Sequence, residues 1–285
     1  MRALATFLVT FLVLTFFVDV SAGASPVTGD YLRLPGDAAV RIKSEARSRA
    51  NGEKGWPTFV KVGDSNTVTH RALYGLGCYR FTPIGLRPSL MRVIRRYRQK
   101  RVPVGRKDLP GASCNKSARA NSFSRVSLAS RGGTKFGFAL EAGSIFDLPC
   151  VADVLTCEIE EVRPRYAFIQ FGTNEALFSV ESEMTSQELG EVRTELTAIV
   201  STTRSLGVTP VVITAPVAID SSLWVPGVPG RVVAINEVIR DIAQSQGVPM
   251  IDLWLAQKKE IGPSRGYGLD SGGVHLSSPS REGRW

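Results

Sequence analysis

Short apolar segments alternate with longer segments of helical periodicity along most of this chain. Five apolar segments are rich in Val, Ile or Phe and have the length of buried β-strands. They are Thr58–Gly63, Ser124–Ala129, Tyr166–Phe171, Thr209–Ala215 and Val248–Leu253. Because apolar strands separated by helices are typical of parallel sheets covered on both faces, we predict a three-layer α/β/α fold with a five-stranded parallel sheet.

Two of the helices are predicted from their ends as well as from their periodicity. Thr185 and Glu188 have the spacing of a capping box, and apolar residues then recur at helical spacing until Gly207. A second helix is predicted at about 229–246, where apolar residues recur in the same way until Gly247. We interpret both apolar stripes as core packing.

A further amphipathic helix is predicted within residues 87–107, and its outer face is strongly basic. This segment holds nine of the 35 lysines and arginines and no acidic residue. The remaining 26 basic residues balance the 26 acidic ones, so the segment carries the whole net charge of +9. It is either a solvated helix face or a surface that attracts an anionic glycan or a membrane. No nucleic-acid-binding motif is present, so nucleic acid is not expected as a partner.

The first 24 residues have the pattern of a secretory signal peptide. Arg2 precedes an apolar run, and the small residues 21–24 suit cleavage after Ala24. An uncleaved anchor helix is the alternative, although the run is short for a bilayer span. We therefore expect a secreted or periplasmic protein, with a loosely ordered lead-in at 25–55 and one domain at 56–285.

Four cysteines, an even number, suit an exported protein with disulfide bonds. Three pairings are compatible with the sequence. We favour Cys150–Cys157, which lie close together, and Cys78–Cys114, which flank the basic segment. Metal binding is disfavoured because no ligand pair has the spacing of a zinc site.

Polar residues suited to catalysis follow three of the predicted strands. Ser65 follows the first strand at a glycine turn that would expose its hydroxyl. Asn174 follows the third strand, and its amide can donate to an oxyanion. His275 follows the last strand and can accept the serine proton, with His70 as the only other candidate base. Ser65 and Asn174 could instead be simple caps or turn residues.

The order of these motifs along the chain strengthens the catalytic interpretation. In a sheet of order 2-1-3-4-5, the first and third strands are neighbours at the switch point, where ligands bind at the carboxyl ends. Ser65 and Asn174 would then face one crevice. His275 can reach this crevice from the last loop.

These motifs resemble those of the SGNH hydrolases, also called the GDSL esterase/lipase family. Residues 62–67 resemble the family's first block, 172–175 its third and 273–276 its last, and the resemblance extends from about residue 58 to 278. It implies a flavodoxin-like sheet of order 2-1-3-4-5. It also implies that Ser65 is the nucleophile and His275 the base. The oxyanion donors would be the Asn174 side chain and the backbone N–H of Ser65.

The family's second block supplies a further backbone donor to the oxyanion. The matching stretch is 127–134, where alignment on the terminal Gly-x-Thr places the donor at Ala129. A slipped alignment places it at Gly132. An alanine can donate as well as a glycine where its φ is negative.

Three departures from the family pattern concern the base and its surroundings. The acid that usually stands three residues before the histidine is replaced by Gly272. Asp270 or a backbone carbonyl could orient the imidazole instead. We expect Asp270 not to do so, because its offset of five residues needs a turn that the family does not normally make. In addition, Glu175 replaces an aspartate, and residues 278–285 have no helical pattern where the family places a final helix.

The sequence therefore predicts an exported serine esterase that acts on carboxylic esters of an acetylated glycan, a lipid or a small molecule. The resemblance implies neither a metal nor an organic cofactor. The alternative is a weakened or inactive protein of this fold that binds an anionic glycan or a membrane surface.

Overall fold

The computed structural model describes residues 31–35, 40, 58–68, 73–77, 88–106, 119–146, 150–221 and 223–276. The strands are β1 Leu32–Arg33, β2 Phe59–Gly63, β3 Val102–Pro103, β4 Arg119–Ala120, β5 Tyr166–Gln170, β6 Thr209–Ile213 and β7 Met250–Ile251. The α-helices are α1 Tyr74–Gly77, α2 Pro88–Gln99, α3 Val154–Val162, α4 Thr173–Phe178, α5 Ser186–Ser205, α6 Val228–Ser245 and α7 Leu253–Ala256. Shorter helical turns occupy Phe136–Leu140, Gly143–Phe146, Gln257–Ile261 and Pro263–Gly268.

Five strands form one mixed sheet in the order β1-β7-β6-β5-β2. β7, β6, β5 and β2 are parallel, and β2 pairs with β5 so that Gly63 lies opposite Gln170. β1 pairs antiparallel with β7. The long parallel strands β2 and β5 are buried on both faces, which explains their continuous apolar sequences. The α/β class is confirmed, while the sheet is mixed rather than fully parallel.

The prediction of a strand at Ser124–Ala129 is wrong. This segment lies beside β2, with an isolated bridge between Gly63 and Ser130. Side chains satisfy part of its backbone in place of a strand ladder, since Asn121 Oδ1 accepts the N–H of Ser124 and Ser127 Oγ accepts that of Ala129. The predicted order 2-1-3-4-5 is therefore not confirmed as a whole, although β2, β5, β6 and β7, the predicted strands 1, 3, 4 and 5, are neighbours in that order. The fifth strand is β1, at the opposite edge, within the segment expected to be a loose lead-in.

Helices cover both faces of the sheet. Successive side chains of a strand point to opposite faces, so Val60 and Val62 of β2 join the core beneath α3, α5 and α6. Phe59 and Phe168 join a second core, which contains Val93 of α2. The three-layer arrangement is confirmed. None of the helices within the described ranges is both long and apolar enough to span a bilayer. The predicted signal peptide lies outside those ranges.

The two clearest helix predictions are confirmed. α5 begins at the predicted capping box, where the N–H of Glu188 donates to Thr185 Oγ1 at 3.2 Å. In return, the N–H of Thr185 donates to Glu188 Oε2 at 2.8 Å. α6 ends at Ser245, within about a residue of its predicted end. The stripes of both helices lie in the core, as expected for amphipathic helices on a sheet.

α2 is the predicted basic helix. The side chains of Val93, Ile94 and Tyr97 are buried, whereas those of Arg92, Arg95 and Arg96 are exposed. Arg98 departs from this pattern because its side chain is buried and its Nε donates to the carbonyl oxygen of Leu76. The three exposed arginines form a basic face on the outside of the molecule.

A buried ion cluster fixes the irregular segment 121–130 to α3. Arg125 donates to both carboxylate oxygens of Glu158, at 2.8 and 2.7 Å, and Nη2 also bonds Glu161 Oε2 at 2.6 Å. Glu158 Oε2 accepts the N–H of Leu128 at 2.8 Å. Arg125 and Glu158 are fully buried. We call these three charged residues the Arg125 cluster.

The disulfide bond Cys150–Cys157 is present, as predicted, and connects the loop before α3 to the helix. Cys78 and Cys114 lie outside the described residues, so their pairing stays a prediction.

Candidate active site

Ser65 lies in a tight turn directly after β2. Gly63 is needed there because a Cβ at this position would lie 2.0 Å from the carbonyl oxygen of Gln170. The chain then turns back, and the N–H of Thr67 donates to the carbonyl oxygen of Asp64 at 3.0 Å. Ser65 is thereby held, half-buried, at the carboxyl end of β2.

His275 lies in a hairpin that faces this turn. Leu269 and Leu276 form an antiparallel bridge, and the N–H of Asp270 donates to the carbonyl oxygen of His275 at 2.8 Å. The hairpin brings His275 Nε2 to 2.9 Å from Ser65 Oγ. A serine hydroxyl and an imidazole at this distance are arranged for proton transfer.

Asp270 approaches the other side of the same imidazole. Its Oδ2 lies 3.4 Å from His275 Nδ1, the distance of an ion pair rather than of a short hydrogen bond. Oδ1 accepts the N–H of Gly272 at 3.1 Å, and Gly273 has a φ of +74° that lets the hairpin close. The expectation that no carboxylate reaches the imidazole therefore disagrees with the structure. The five-residue offset is bridged because the two residues are paired across one hairpin.

The two candidate backbone donors, Ala129 and Gly132, differ in their surroundings. The N–H of Ala129 is already bonded to Ser127 Oγ at 3.0 Å. A Cβ at Gly132 would lie 3.7 Å from Ser65 Cβ, so the Gly132 backbone lies against the Ser65 side chain. The geometry therefore favours Gly132, the position given by the slipped alignment.

Asn174 lies in the first turn of α4 and is nearly fully buried. Its Nδ2 donates to the carbonyl oxygen of Thr134 at 2.8 Å, and Thr134 Oγ1 donates to the carbonyl oxygen of Arg131 at 2.7 Å. These bonds connect the Asn174 amide to the turn that contains Gly132. Nδ2 carries two N–H groups, so one remains for a further acceptor.

The sequence matches the model of the GDSL-like Lipase/Acylhydrolase family over residues 117–279, more than half of the chain. The chain belongs to this family. The matched range includes Asn174 and His275, whereas Ser65 precedes it. As a member of this family, the chain is an ester-hydrolysing enzyme.

Solved structures of low identity resemble this GDSL-like chain. A lipase/acylhydrolase from Enterococcus faecalis is 18% identical, with 78% of this chain and 87% of that chain covered and a TM-score of 0.42. An acetylxylan esterase from Geobacillus stearothermophilus is 16% identical, with 78% and 87% covered and a TM-score of 0.40. A peptidoglycan O-acetylesterase is 15% identical, with 56% and 44% covered and a TM-score of 0.40. No curated protein gives a match.

Two buried carboxyl groups lie next to the catalytic motifs of this GDSL-like enzyme. Burial raises the pKa of Asp64 to about 7, although the N–H of Asn66 donates to its Oδ1 and acts in the opposite direction. Burial also raises the pKa of Glu175 to about 8, against the N–H of Phe136, which donates to Oε1 at 2.6 Å. Glu175 Oε2 accepts the N–H of Gly172 at 3.0 Å and thereby caps α4.

Two further polar residues of the site, Asn66 and Thr173, were not singled out from the sequence. Both belong to the quoted motifs, at 62–67 and 172–175, so their positions were visible while their partners were not. His70 lies outside the described residues. Within the described ranges, no three His, Cys, Asp or Glu side chains are grouped as metal ligands.

Proposed function

We propose that the chain is an exported serine esterase that hydrolyses carboxylic esters through an acyl-enzyme intermediate. The observation that carries this proposal is the alignment of Ser65 Oγ, the His275 imidazole and the Asp270 carboxylate, with separations of 2.9 and 3.4 Å. Serine hydrolases have the same spatial order of a nucleophile, a base and a group that orients the base.

In the first half-reaction, Ser65 Oγ attacks the ester carbonyl carbon and its proton passes to His275 Nε2. Asp270 orients the imidazole and stabilises its cationic form. The resulting imidazolium then protonates the departing alcohol as the ester C–O bond breaks. Ser65 is left as an acyl ester.

In the second half-reaction, water attacks the acyl-enzyme while His275 accepts its proton and returns it to Ser65 Oγ. The carboxylic acid is released. The oxyanion of each step would be bound by the backbone N–H groups of Ser65 and Gly132 and by the Asn174 side chain. Because Gly132 belongs to the turn bonded to Asn174, these donors are held as one unit.

Export is supported by two independent features. The first 24 residues have the signal-peptide pattern, and the Cys150–Cys157 disulfide suits an oxidising compartment. Secretion into the periplasm or the medium is measured by cell fractionation and by N-terminal sequencing, which should find a start after Ala24.

Labelling with a fluorophosphonate probe tests the proposed mechanism. We expect rapid labelling of the wild type and none of Ser65→Ala, with both proteins folded by circular dichroism. A folded wild type that resists the probe would favour the non-catalytic binding protein instead. If the wild type is labelled, a panel of acetylated glycans, lipids and small esters with increasing acyl length identifies the class of substrate.

The proposal includes an anionic partner surface, an acidic glycan or a membrane, at the exposed arginines of α2. Arg92, Arg95 and Arg96 lie on one exposed face without acidic neighbours in the helix. Replacing all three by Gln should weaken retention on an acidic polysaccharide column or on vesicles with anionic lipid. Arg193→Gln, which removes an exposed arginine paired with Asp241, is the matched control.

A further inference from the structure

Asn66 follows Ser65 in the chain, is fully buried and engages its side-chain amide on both sides. Its Oδ1 accepts the N–H of Leu276 at 3.0 Å. Its Nδ2 donates to the carbonyl oxygen of Val274 at 3.3 Å and to Thr173 Oγ1 at 3.2 Å. An amide has two N–H donors, so both are in use.

Val274 and Leu276 are the two neighbours of His275. The Asn66 side chain therefore bonds the C=O that precedes His275 and the N–H that follows it. The backbone that carries His275 is therefore held from the turn that carries Ser65.

We propose that Asn66 is a positioning residue that keeps His275 in register with Ser65. The inference rests on the proposed esterase function and adds a residue to it. Asn66 is itself anchored, because its backbone N–H donates to Asp64 Oδ1 at 2.8 Å.

The same side chain also reaches the third catalytic segment. Thr173, which accepts a hydrogen bond from Asn66 Nδ2, directly precedes Asn174 at the start of α4. One buried amide therefore joins the segments that carry Ser65, Asn174 and His275.

Within the hairpin, the N–H of Asp270 bonds the carbonyl oxygen of His275, and two contacts from other segments bond the tip. The N–H of Ile219 donates to the carbonyl oxygen of Gly273 at 3.0 Å, and Trp224 Nε1 donates to that of Gly272 at 3.2 Å. These bonds tether two glycines, which are conformationally permissive, rather than the flanks of His275. Loss of the Asn66 amide would let the imidazole move relative to Ser65 Oγ, and displacements of about 1 Å cost about 100-fold in rate.

The test compares Asn66→Leu, which has a similar size and no hydrogen bonds, with Asn66→Asp, which retains only the acceptor for Leu276. Asn236→Leu is the matched control. Asn236 is equally buried, and its amide also bonds one backbone N–H and one C=O, those of Ala215, at 2.8 and 3.1 Å. It contacts neither Ser65 nor His275 through these bonds.

Rates of fluorophosphonate labelling, kcat and KM are measured for a short-chain ester well below each variant's unfolding temperature. We expect Asn66→Leu to lower kcat and the labelling rate by about 10- to 100-fold while KM changes by less than about threefold. Asn66→Asp should fall between the wild type and Asn66→Leu. Asn236→Leu should lower the unfolding temperature comparably and change kcat by less than about threefold.

A double-mutant cycle shows whether Asn66 acts through the imidazole. In a His275→Ala background, Asn66→Leu should reduce the residual labelling rate by less than about twofold. A full, additive loss there, or equal losses of kcat in Asn66→Leu and Asn236→Leu, would overturn the inference.

Hydrogen exchange at the Leu276 amide provides a readout that needs no activity. Its protection should decrease in Asn66→Leu and persist in Asn236→Leu. An unchanged Leu276 amide in Asn66→Leu would overturn the inference, whereas a wild type that resists the probe would count against the esterase function alone.

Discussion

The Arg125 cluster and the carboxyl groups beside Ser65 are both buried, and they neutralise their charge in different ways. Glu158 is paired with Arg125 through two hydrogen bonds. Burial alone would lower the pKa of Arg125, but the adjacent carboxylates outweigh it and raise the pKa above its usual value. Asp64 and Glu175 have no such cation among their hydrogen-bond partners and rely on backbone N–H groups.

The two regions therefore differ in how their charges respond to pH. The pKa of Arg125 is raised further by its carboxylate partners, so its guanidinium stays charged over the whole physiological pH range. Carboxyl groups with a pKa of about 7 or 8 change their protonation within that range. The Arg125 cluster is thus expected to support stability, and the surroundings of Ser65 to support catalysis with a stability that depends on pH.

The largest effect on activity is expected at the nucleophile. Ser65→Ala should lower esterase activity by at least about 10³-fold and leave the free energy of unfolding within about 1 kcal/mol of the wild type. Activity is measured with a short-chain ester and stability by urea unfolding. Activity close to that of the wild type would refute the role of Ser65.

The opposite result is expected in the Arg125 cluster. Arg125→Met leaves Glu158 buried without its cation and should lower the free energy of unfolding by about 3–5 kcal/mol. The folded protein should keep its kcat within a few fold. Arg193→Met, which removes the exposed ion pair with Asp241, should cost less than about 1 kcal/mol in the same urea experiment. Similar losses in both variants would contradict a special role of the buried pair.

A smaller effect is expected at the partner of the imidazole. Asp270→Asn should lower kcat by about 10- to 100-fold, less than for a fully buried triad acid, because the contact between Asp270 and His275 is partly exposed and 3.4 Å long. Gly272→Asp restores the usual acid position, yet a Cβ there lies 3.4 Å from Asp270 Oδ1. The added carboxylate would face a like charge, so it should not raise kcat above that of the uncharged variant Gly272→Asn. A gain specific to Gly272→Asp would show that Asp270 is not the partner.

The smallest effect concerns the pH dependence of stability. The folded pKa of Asp64 is about 7, above the usual 3.8, so the folded state keeps a proton that the unfolded state releases between these values. The contribution of Asp64 therefore decreases as the pH rises from about 4 to about 7. In Asp64→Asn, the unfolding free energy should fall less between pH 5 and pH 8 than in the wild type.

Glu188 provides a control of opposite sign. The N–H of Thr185 lowers the pKa of this exposed carboxylate, so its contribution is lost as the pH falls below its usual value. Glu188→Gln should therefore leave the change in the free energy of unfolding between pH 5 and pH 8 the same as in the wild type. If the free energy of unfolding changes with pH equally in the wild type and in Asp64→Asn, Asp64 keeps an ordinary pKa.

Features of this chain that depend on local patterns can be predicted from the sequence alone. The strands around 59–63 and 166–170, the capping box of α5 and the basic face of α2 follow from periodicity and from end signals within a few residues. The placement of Ser65, Asn174 and His275 at one edge follows as well, since each comes after a parallel strand and the carboxyl ends of such strands share an edge.

Features that depend on partners distant in the chain are set by tertiary packing. The segment 124–129 was predicted as a strand, but side chains of Asn121 and Ser127 satisfy part of its backbone and Arg125 connects it to α3. Asp270 reaches His275 because a hairpin pairs the two residues, and Asn66 meets Val274 and Leu276 across more than 200 positions. The spacing of residues along the chain does not predict such contacts, because they form when separate segments pack and their buried polar groups need hydrogen-bond partners.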